Sequence, residues 1–213
     1  MRPRPASAPL LIVCALGIER FALRTGDRGG AGARFSVLRT GMGPRAAERS
    51  VAERLAGPEM ADAAVLATGF CAGLAPGMHP GDLVVAEETR DERGTVPCVS
   101  TDLLVKELRR AAPGRTVHTG PLTGSDHVVR GPERADLLAT GALAVDMESA
   151  ATLRSAFGAG PRPVAAVRVV VDAPEHELVR IGTLRGGISA FRVLRSVLPA
   201  FFEWHRSLPL PRR

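Results

Sequence analysis

Three stretches carry side chains suited to acid–base chemistry. Asp146-Met147-Glu148 follows the apolar run Leu143-Ala144-Val145 and leads into Ser149-Ala150-Ala151-Thr152-Leu153-Arg154, a helix-forming segment. Two carboxylates and a thioether therefore stand where a strand turns into a helix, the place at which open α/β sheets present ligands. Acids at a helix start are also favoured by its dipole, so the position has a purely structural reading beside the chemical one. The second stretch, residues 163–171, is apolar except for Arg168 and runs into Asp172. Two apolar strands, each tipped with an acid, can converge on one cleft. The third acid, Glu19, lies in the loop after the first apolar run.

These residues need a frame. Residues 1–8, rich in Pro and Arg, read as a disordered leader, and residues 9–213 as one domain. Apolar runs bounded by turn residues predict strands at 10–15, 35–39, 63–67, 82–87, 116–122, 143–145 and 163–171. Helices are expected at 45–55, where Pro44 suits the first turn, at 101–112 behind Ser100 or Thr101 as cap, at 132–139, from 149 onward, and at 184–205 with a kink at Pro199. Strands alternating with helices at this spacing predict an α/β fold: a single three-layer α/β/α domain with a mostly parallel mixed sheet.

Composition removes several functions. The 213 residues suffice for one domain with a sizeable core. The net charge is +6, and Lys106 is the only lysine among 28 basic residues. The arginines are scattered, Tyr is absent and Trp occurs once, which is not the basic stripe with stacking aromatics of a nucleic-acid groove. Cys14, Cys71 and Cys98 are far apart and odd in number, so neither a disulfide framework nor a zinc site is indicated. The five histidines have no metal-ligand spacing. His176, just after Asp172, reads as a lid residue or a solvated loop histidine. Arg2 and Arg4 before an apolar run resemble a secretory signal, but the run is short and no small-x-small cleavage site follows. No run of about 18 apolar residues is present to span a membrane. A cytoplasmic protein is expected. Gly41-Met42-Gly43 is half of a dinucleotide fingerprint, with Ala46 in the third place; it follows the second strand rather than the first, and no acid ends a strand some 20 residues on.

Taken together, the motifs have a known order. V-D-M-E-S-A-A followed by V-R-V-V-V-D resembles the nucleoside phosphorylase/nucleosidase superfamily, and within it the methylthioadenosine/adenosylhomocysteine nucleosidases. T-G-F-C-A-G-L-A-P-G-M-H-P-G-D-L-V-V-A resembles the family's central Gly-rich signature. T-G-M-G-P-R-A-A and A-L-G-I-E-R resemble its two earlier loops. The resemblance spans residues 10 to about 172. The hopanoid-associated enzymes, which remove adenine from adenosylhopane to leave ribosylhopane, are nearest in pattern.

The resemblance implies cleavage of the N-glycosidic bond of a purine nucleoside, with no cofactor and no metal. Asp172 takes the place of the acid that protonates N7 of the base. An acid in that role must hold its proton near neutrality, so an apolar, buried setting is expected for it. Glu19 takes the place of the acid that activates water, Glu148 of the acid that binds the ribose hydroxyls, and Met147 of the thioether packed on the ribose. Arg168 matches the arginine near the nucleophile. Phe70 and Cys71, in the central loop, are expected beside the substrate, and Val128 and Val129 in the base pocket. Phe70 and Val171 replace smaller or more polar residues. The change suits an apolar 5′ substituent or ordinary core packing. No arginine stands in the first or central Gly-rich loop to bind phosphate, so water is favoured as nucleophile, with Arg168 leaving phosphate open. A homodimer is expected by resemblance. The apolar and basic residues of the last helix fit packing on the sheet, or resting on the inner face of a membrane that supplies a lipid-linked substrate.

Overall fold

The computed structural model describes residues 8–27, 34–173 and 183–208. Most of the expected leader, and His176, lie outside these residues. In chain order the strands are β1 (Leu10–Cys14), β2 (Phe35–Arg39), β3 (Ala64–Gly73), β4 (Leu83–Asp91), β5 (Gly94–Pro97), β6 (Val117–Gly124), β7 (Ala144–Asp146) and β8 (Val164–Asp172). The helices are α1 (Gly17–Thr25), α2 (Pro44–Leu55), α3 (Thr101–Ala111), α4 (Pro132–Ala139), α5 (Ser149–Gly158), α6 (Thr183–Ser196) and α7 (Leu198–Ser207).

The expected three-layer arrangement is present. Alternation along each strand sends neighbouring side chains to opposite faces. Leu10, Ile12 and Cys14 of β1, with Ala165, Val167 and Val169 of β8, pack in the cluster that holds Ala22, Leu104, Leu194, Phe201 and Trp204. Leu11 and Val13, with Val164, Ala166 and Val170, face Val51, Leu55, Leu153 and Ala156 on the other side. So α1, α3, α6 and α7 cover one face, and α2 and α5 the other. The β-branched and aliphatic strands are buried on both faces, as a covered parallel sheet requires.

β1 pairs in parallel with β2 and β3, β3 with β8, β4 with β6, and β6 with β7. β3–β7, β4–β5 and β4–β8 are antiparallel. Going from β3 through β8, β4, β6 and β7, the pairing returns to β3. That closure rests on an extended β3. The Gly-rich stretch expected as a loop after residue 67 continues as strand to Gly73, because its backbone groups pair first with β8 and then with β7. The β4–β5 hairpin was not expected, and neither was α1, whose third residue is Glu19. The long C-terminal helix is two helices. They part at Val197, and Pro199 falls in the first turn of α7, where its missing N–H is not needed.

Trp204 is fully buried, and its indole Nε1 donates to the carbonyl of Val99 at 3.0 Å. The apolar stripe of α7 is therefore core; Leu198, Phe201 and Phe202 are buried beside it. Trp204→Ala should lower unfolding free energy by about 3–5 kcal/mol. Urea denaturation followed by far-UV circular dichroism checks this, and a loss below about 1 kcal/mol would contradict the packing described.

Candidate active site

The acids named from sequence gather at one end of the sheet. Glu19 is buried at the start of α1. Its Oε2 accepts from the backbone N–H of Ala15 (2.9 Å) and Leu16 (2.8 Å), and its Oε1 from Phe70 N–H (2.8 Å). Leu16 has no side-chain acceptor to cap α1, so Glu19 reaches back to that N–H instead. A carboxylate offers about four lone-pair sites, so three N–H groups leave room for one more donor. Burial raises the Glu19 pKa above its ordinary value, opposed by the charge of Arg168 and by those N–H groups.

Arg168 is 1% exposed. Its Nε lies 2.6 Å from Asp146 Oδ2 and donates to Ser149 Oγ at 2.8 Å, and its Nη1 donates to the Thr68 carbonyl at 2.8 Å. Burial works against the guanidinium charge, but attraction to Asp146, Glu148 and Glu19 more than offsets it. Gly69 lets these groups approach. Its φ is +133°, and a Cβ there would stand 2.5 Å from Glu19 Oε1 and 2.7 Å from Arg168 Nη1.

Asp146 organises the strand-to-helix switch. Its Oδ1 accepts from the N–H groups of Glu148 (3.0 Å) and Ser149 (2.9 Å), and its Oδ2 from Ser149 Oγ (2.5 Å). The structural reading of an acid at a helix start holds for Asp146. Glu148 points elsewhere: its Oε1 accepts from Gly43 N–H at 2.8 Å, tying the Thr40–Pro44 turn to β7. Gly43 adopts φ +89° there. Burial and then Asp146 push the Glu148 pKa up to about 6. Met147, between the two acids, is half-buried.

Asp172 ends β8 and is 5% exposed. The apolar setting expected for it is corrected. Arg134 of α4, equally buried, donates through Nη2 to Asp172 Oδ2. The apolar residues before Asp172 point into the core and leave its own surroundings to α4, which sequence reading did not connect with β8. In register, Arg168 lies opposite Gly69 and Asp172 opposite Ala72, three positions along β3, or about 10 Å. Ala72 also pairs with Val145 of β7. The Arg168 group and the Asp172–Arg134 pair are thus two stations along one sheet end.

The other expected lining residues differ in burial. Val128 is 58% exposed, and Val129 is buried with Leu74, Ala142 and Val145. Cys71 packs in the cluster under α2 and α5, and burial raises its thiol pKa. Phe70 contributes its N–H to Glu19, while its side chain, like Val171, packs against the α1, α6 and α7 side. Among the described residues, no three His, Cys, Asp or Glu side chains come together as metal ligands. Sequence reading missed Arg134, Ser149 and the Gly43 N–H. Ser149 had a signal in its place beside two acids; Arg134 had none.

Two chemical stations result. One holds two buried acids of raised pKa beside a fixed arginine; the other holds an acid on an arginine. The sequence profile of the Phosphorylase superfamily matches residues 17–198. No curated protein matches the sequence. Among solved structures, the chain is similar to a 5′-methylthioadenosine/S-adenosylhomocysteine nucleosidase from Neisseria meningitidis in complex with methylthio-immucillin-A: TM-score 0.72, 20% identity, covering 90% of this chain and 99% of that one. The nucleosidase of the same name from S. pneumoniae gives TM-score 0.72 and 19% identity, covering 92% and 98%. Futalosine hydrolase of Helicobacter pylori gives TM-score 0.74 and 16% identity, covering 93% and 98%. At these identities the likeness is one of fold.

The Glu148 pKa predicts a pH effect on stability. The folded state holds this proton more tightly than the unfolded chain, whose value is 4.5. The contribution is fully present below about pH 4.5 and is lost as pH rises through about 6, a change of about 2 kcal/mol. Denaturation of the wild type and of Glu148→Gln across pH 4 to 7 should show the wild type losing that much relative to the variant. Parallel curves would refute it.

Proposed function

The chain belongs to the Phosphorylase superfamily, and from that premise we propose that it is a purine nucleosidase, hydrolysing the N-glycosidic bond of a 5′-modified adenosine. The observation that carries the reading is the one Arg168 shared by Asp146, Glu148 and Glu19. Three acids around a single buried cation leave no positive charge over for a phosphate dianion, and Asp146, Ser149 and Thr68 already take Arg168 Nε and Nη1. Water suits such a place as nucleophile, and phosphate does not.

In this mechanism Glu19 is the general base. Burial moves its pKa toward neutrality, where a base works best, and its remaining lone pair takes the proton of water. Glu148 accepts hydrogen bonds from the ribose hydroxyls, with Met147 against the sugar. Asp172, about 10 Å further along β3, protonates the leaving base. That separation suits a nucleoside lying with its sugar at Arg168 and its base at Asp172. The finer reading is adenosylhopane cleaved to ribosylhopane and adenine. The V-D-M-E-S-A-A and T-G-F-C-A-G-L motifs support it. So do Ile18, Phe21 and Met42, all exposed next to Glu19 and Gly43 in the chain, which offer apolar surface to a triterpenoid 5′ group.

Release of free adenine from 5′-modified adenosines in phosphate-free buffer is the direct test. Asp172→Asn and Glu19→Gln should each slow it by about 10²–10⁴-fold with the circular dichroism spectrum unchanged. Release that needs phosphate would replace hydrolysis by phosphorolysis, and no release from any purine nucleoside would overturn the proposal.

A further inference from the structure

Helices α1 and α6 lie side by side, and the face they turn outward mixes apolar and cationic side chains. Ala190, Val193 and Leu194 of α6 are buried, so Ile188, Arg192 and Arg195 form its outer stripe, at the i, i+4, i+7 spacing of one helix face. On α1, Glu19, Ala22 and Leu23 are turned inward, and Ile18, Phe21 and Arg24 are exposed. Phe21 stacks on Phe191 at a ring-centroid distance of 6.1 Å, and Arg195 Nε donates to the Thr25 carbonyl at 3.1 Å. Each of these α6 residues stands 170 positions after its α1 partner, so the two helices run in the same direction and the two stripes form one surface. Phe21 is 60% exposed and Ile18 53%. Large apolar side chains grouped on a surface mark a place of interaction. The charges indicate the partner. α6 carries three arginines and no acid. Glu19, the acid of α1, is buried on backbone N–H groups, and Asp27, just past α1, is the exposed acid beside Arg24, Arg192 and Arg195. At the edge of the α6 stripe, a hollow of about 380 Å³ is lined by Arg115, Ile188, Ser189 and Arg192. Arg115 Nη2 donates to Ser189 Oγ at 3.0 Å, and a Cβ on Gly81 would stand 2.7 Å from Arg115 Nη1. Two guanidiniums, a hydroxyl and an isoleucine in one hollow suit a phosphate group attached to an apolar body.

We propose that the α1–α6 face docks on an anionic phospholipid bilayer, with a lipid phosphate in the Arg115–Arg192 hollow and Ile18, Phe21 and Ile188 entering the boundary between headgroups and acyl chains. Basic amphipathic surfaces hold to membranes in this way, through buried apolar area and attraction to anionic lipid together. A second copy of the chain fits the face less well, because a two-fold contact through it sets arginines against arginines. The membrane-facing element is thus the α1–α6 pair; the apolar stripe of α7 is core. Docking stands apart from the nucleosidase reading, but the use made of it rests on that reading. Glu19 lies between Ile18 and Phe21 in α1 and is turned to the other side, so the bilayer lies against the helix that carries the general base. A nucleoside with an apolar 5′ group, which partitions into the bilayer, is then supplied where it is cleaved.

Vesicle flotation of the full chain, with no nucleoside present, is the test. The protein should rise with vesicles of equimolar phosphatidylcholine and phosphatidylglycerol, stay behind with phosphatidylcholine alone, and be released by added salt. Phe21→Ser should weaken partitioning by about tenfold or more, and so should Arg115→Gln combined with Arg192→Gln. Ile18→Ser takes the place of Phe21→Ser if that variant loses its circular dichroism spectrum. Arg54→Gln combined with Arg93→Gln removes as much charge from α2 and the β4–β5 hairpin, and should stay within about threefold of wild type. Absence of flotation overturns the proposal, and so do equal losses in the two arginine pairs, which would mean attraction by net charge alone. A chain that binds inorganic phosphate but no vesicle would make the hollow a site for the free anion, and self-association lost in Phe21→Ser without vesicle binding would make the face a contact between copies; either overturns docking. Failure here leaves the nucleosidase reading intact, since no substrate is used, and a chain that floats but releases no adenine loses that reading and keeps the docking.

Discussion

A buried guanidinium cannot stand alone, and Arg168 answers that constraint by collecting partners from distant parts of the chain. Asp146 and Ser149 come from the junction of β7 and α5, Thr68 from β3, and Glu19 from α1. Each partner is then held by a further group. Glu19 is pinned by three backbone N–H groups, Asp146 caps the helix that carries Ser149, and Glu148 is tied to Gly43. Removing one charge from such a cluster costs about 3–5 kcal/mol, because the others are left buried and unpaired. The arrangement is rigid for the same reason. It keeps acids of raised pKa in place where water cannot stabilise their charged forms.

Geometry divides the labour along β3. Gly69, without a side chain, is where Glu19 and Arg168 close over the strand. Three positions on, Ala72 is flanked by Val145 on one side and by Asp172 on the other. A small residue at each station lets polar groups approach the backbone from both neighbouring strands. Closure of the pairing through β8, β4, β6 and β7 keeps these stations in fixed register, since slipping one strand would have to move the others.

Much of this was legible in the residues. Asp172 and Asp146 stand out because a charge at the tip of an apolar strand has few reasons to be there, and the order of the motifs assigned the family. Pro44 and Pro132 marked helix starts through their locked φ and missing N–H. Other features left no local trace. α1 is only nine residues long and follows Gly17 with no side-chain cap, so it read as a loop. β3 beyond residue 67 is rich in glycine and alanine, poor strand formers, and becomes strand only because β7 and β8 supply its hydrogen bonds. Val128 and Val129 were placed by motif alignment, and a motif does not say which of two neighbours faces the solvent.

The sequence by itself determined the layering, the helix starts and which acids stand at strand ends, because apolar periodicity and capping chemistry act over a few residues. Only the tertiary structure decided which cation each acid would meet. Asp172 and Arg134 are 38 residues apart and on different element types. Their contact follows from how α4 packs over the closed end of the sheet. Such a pairing depends on where whole elements come to rest, and no short-range pattern encodes that.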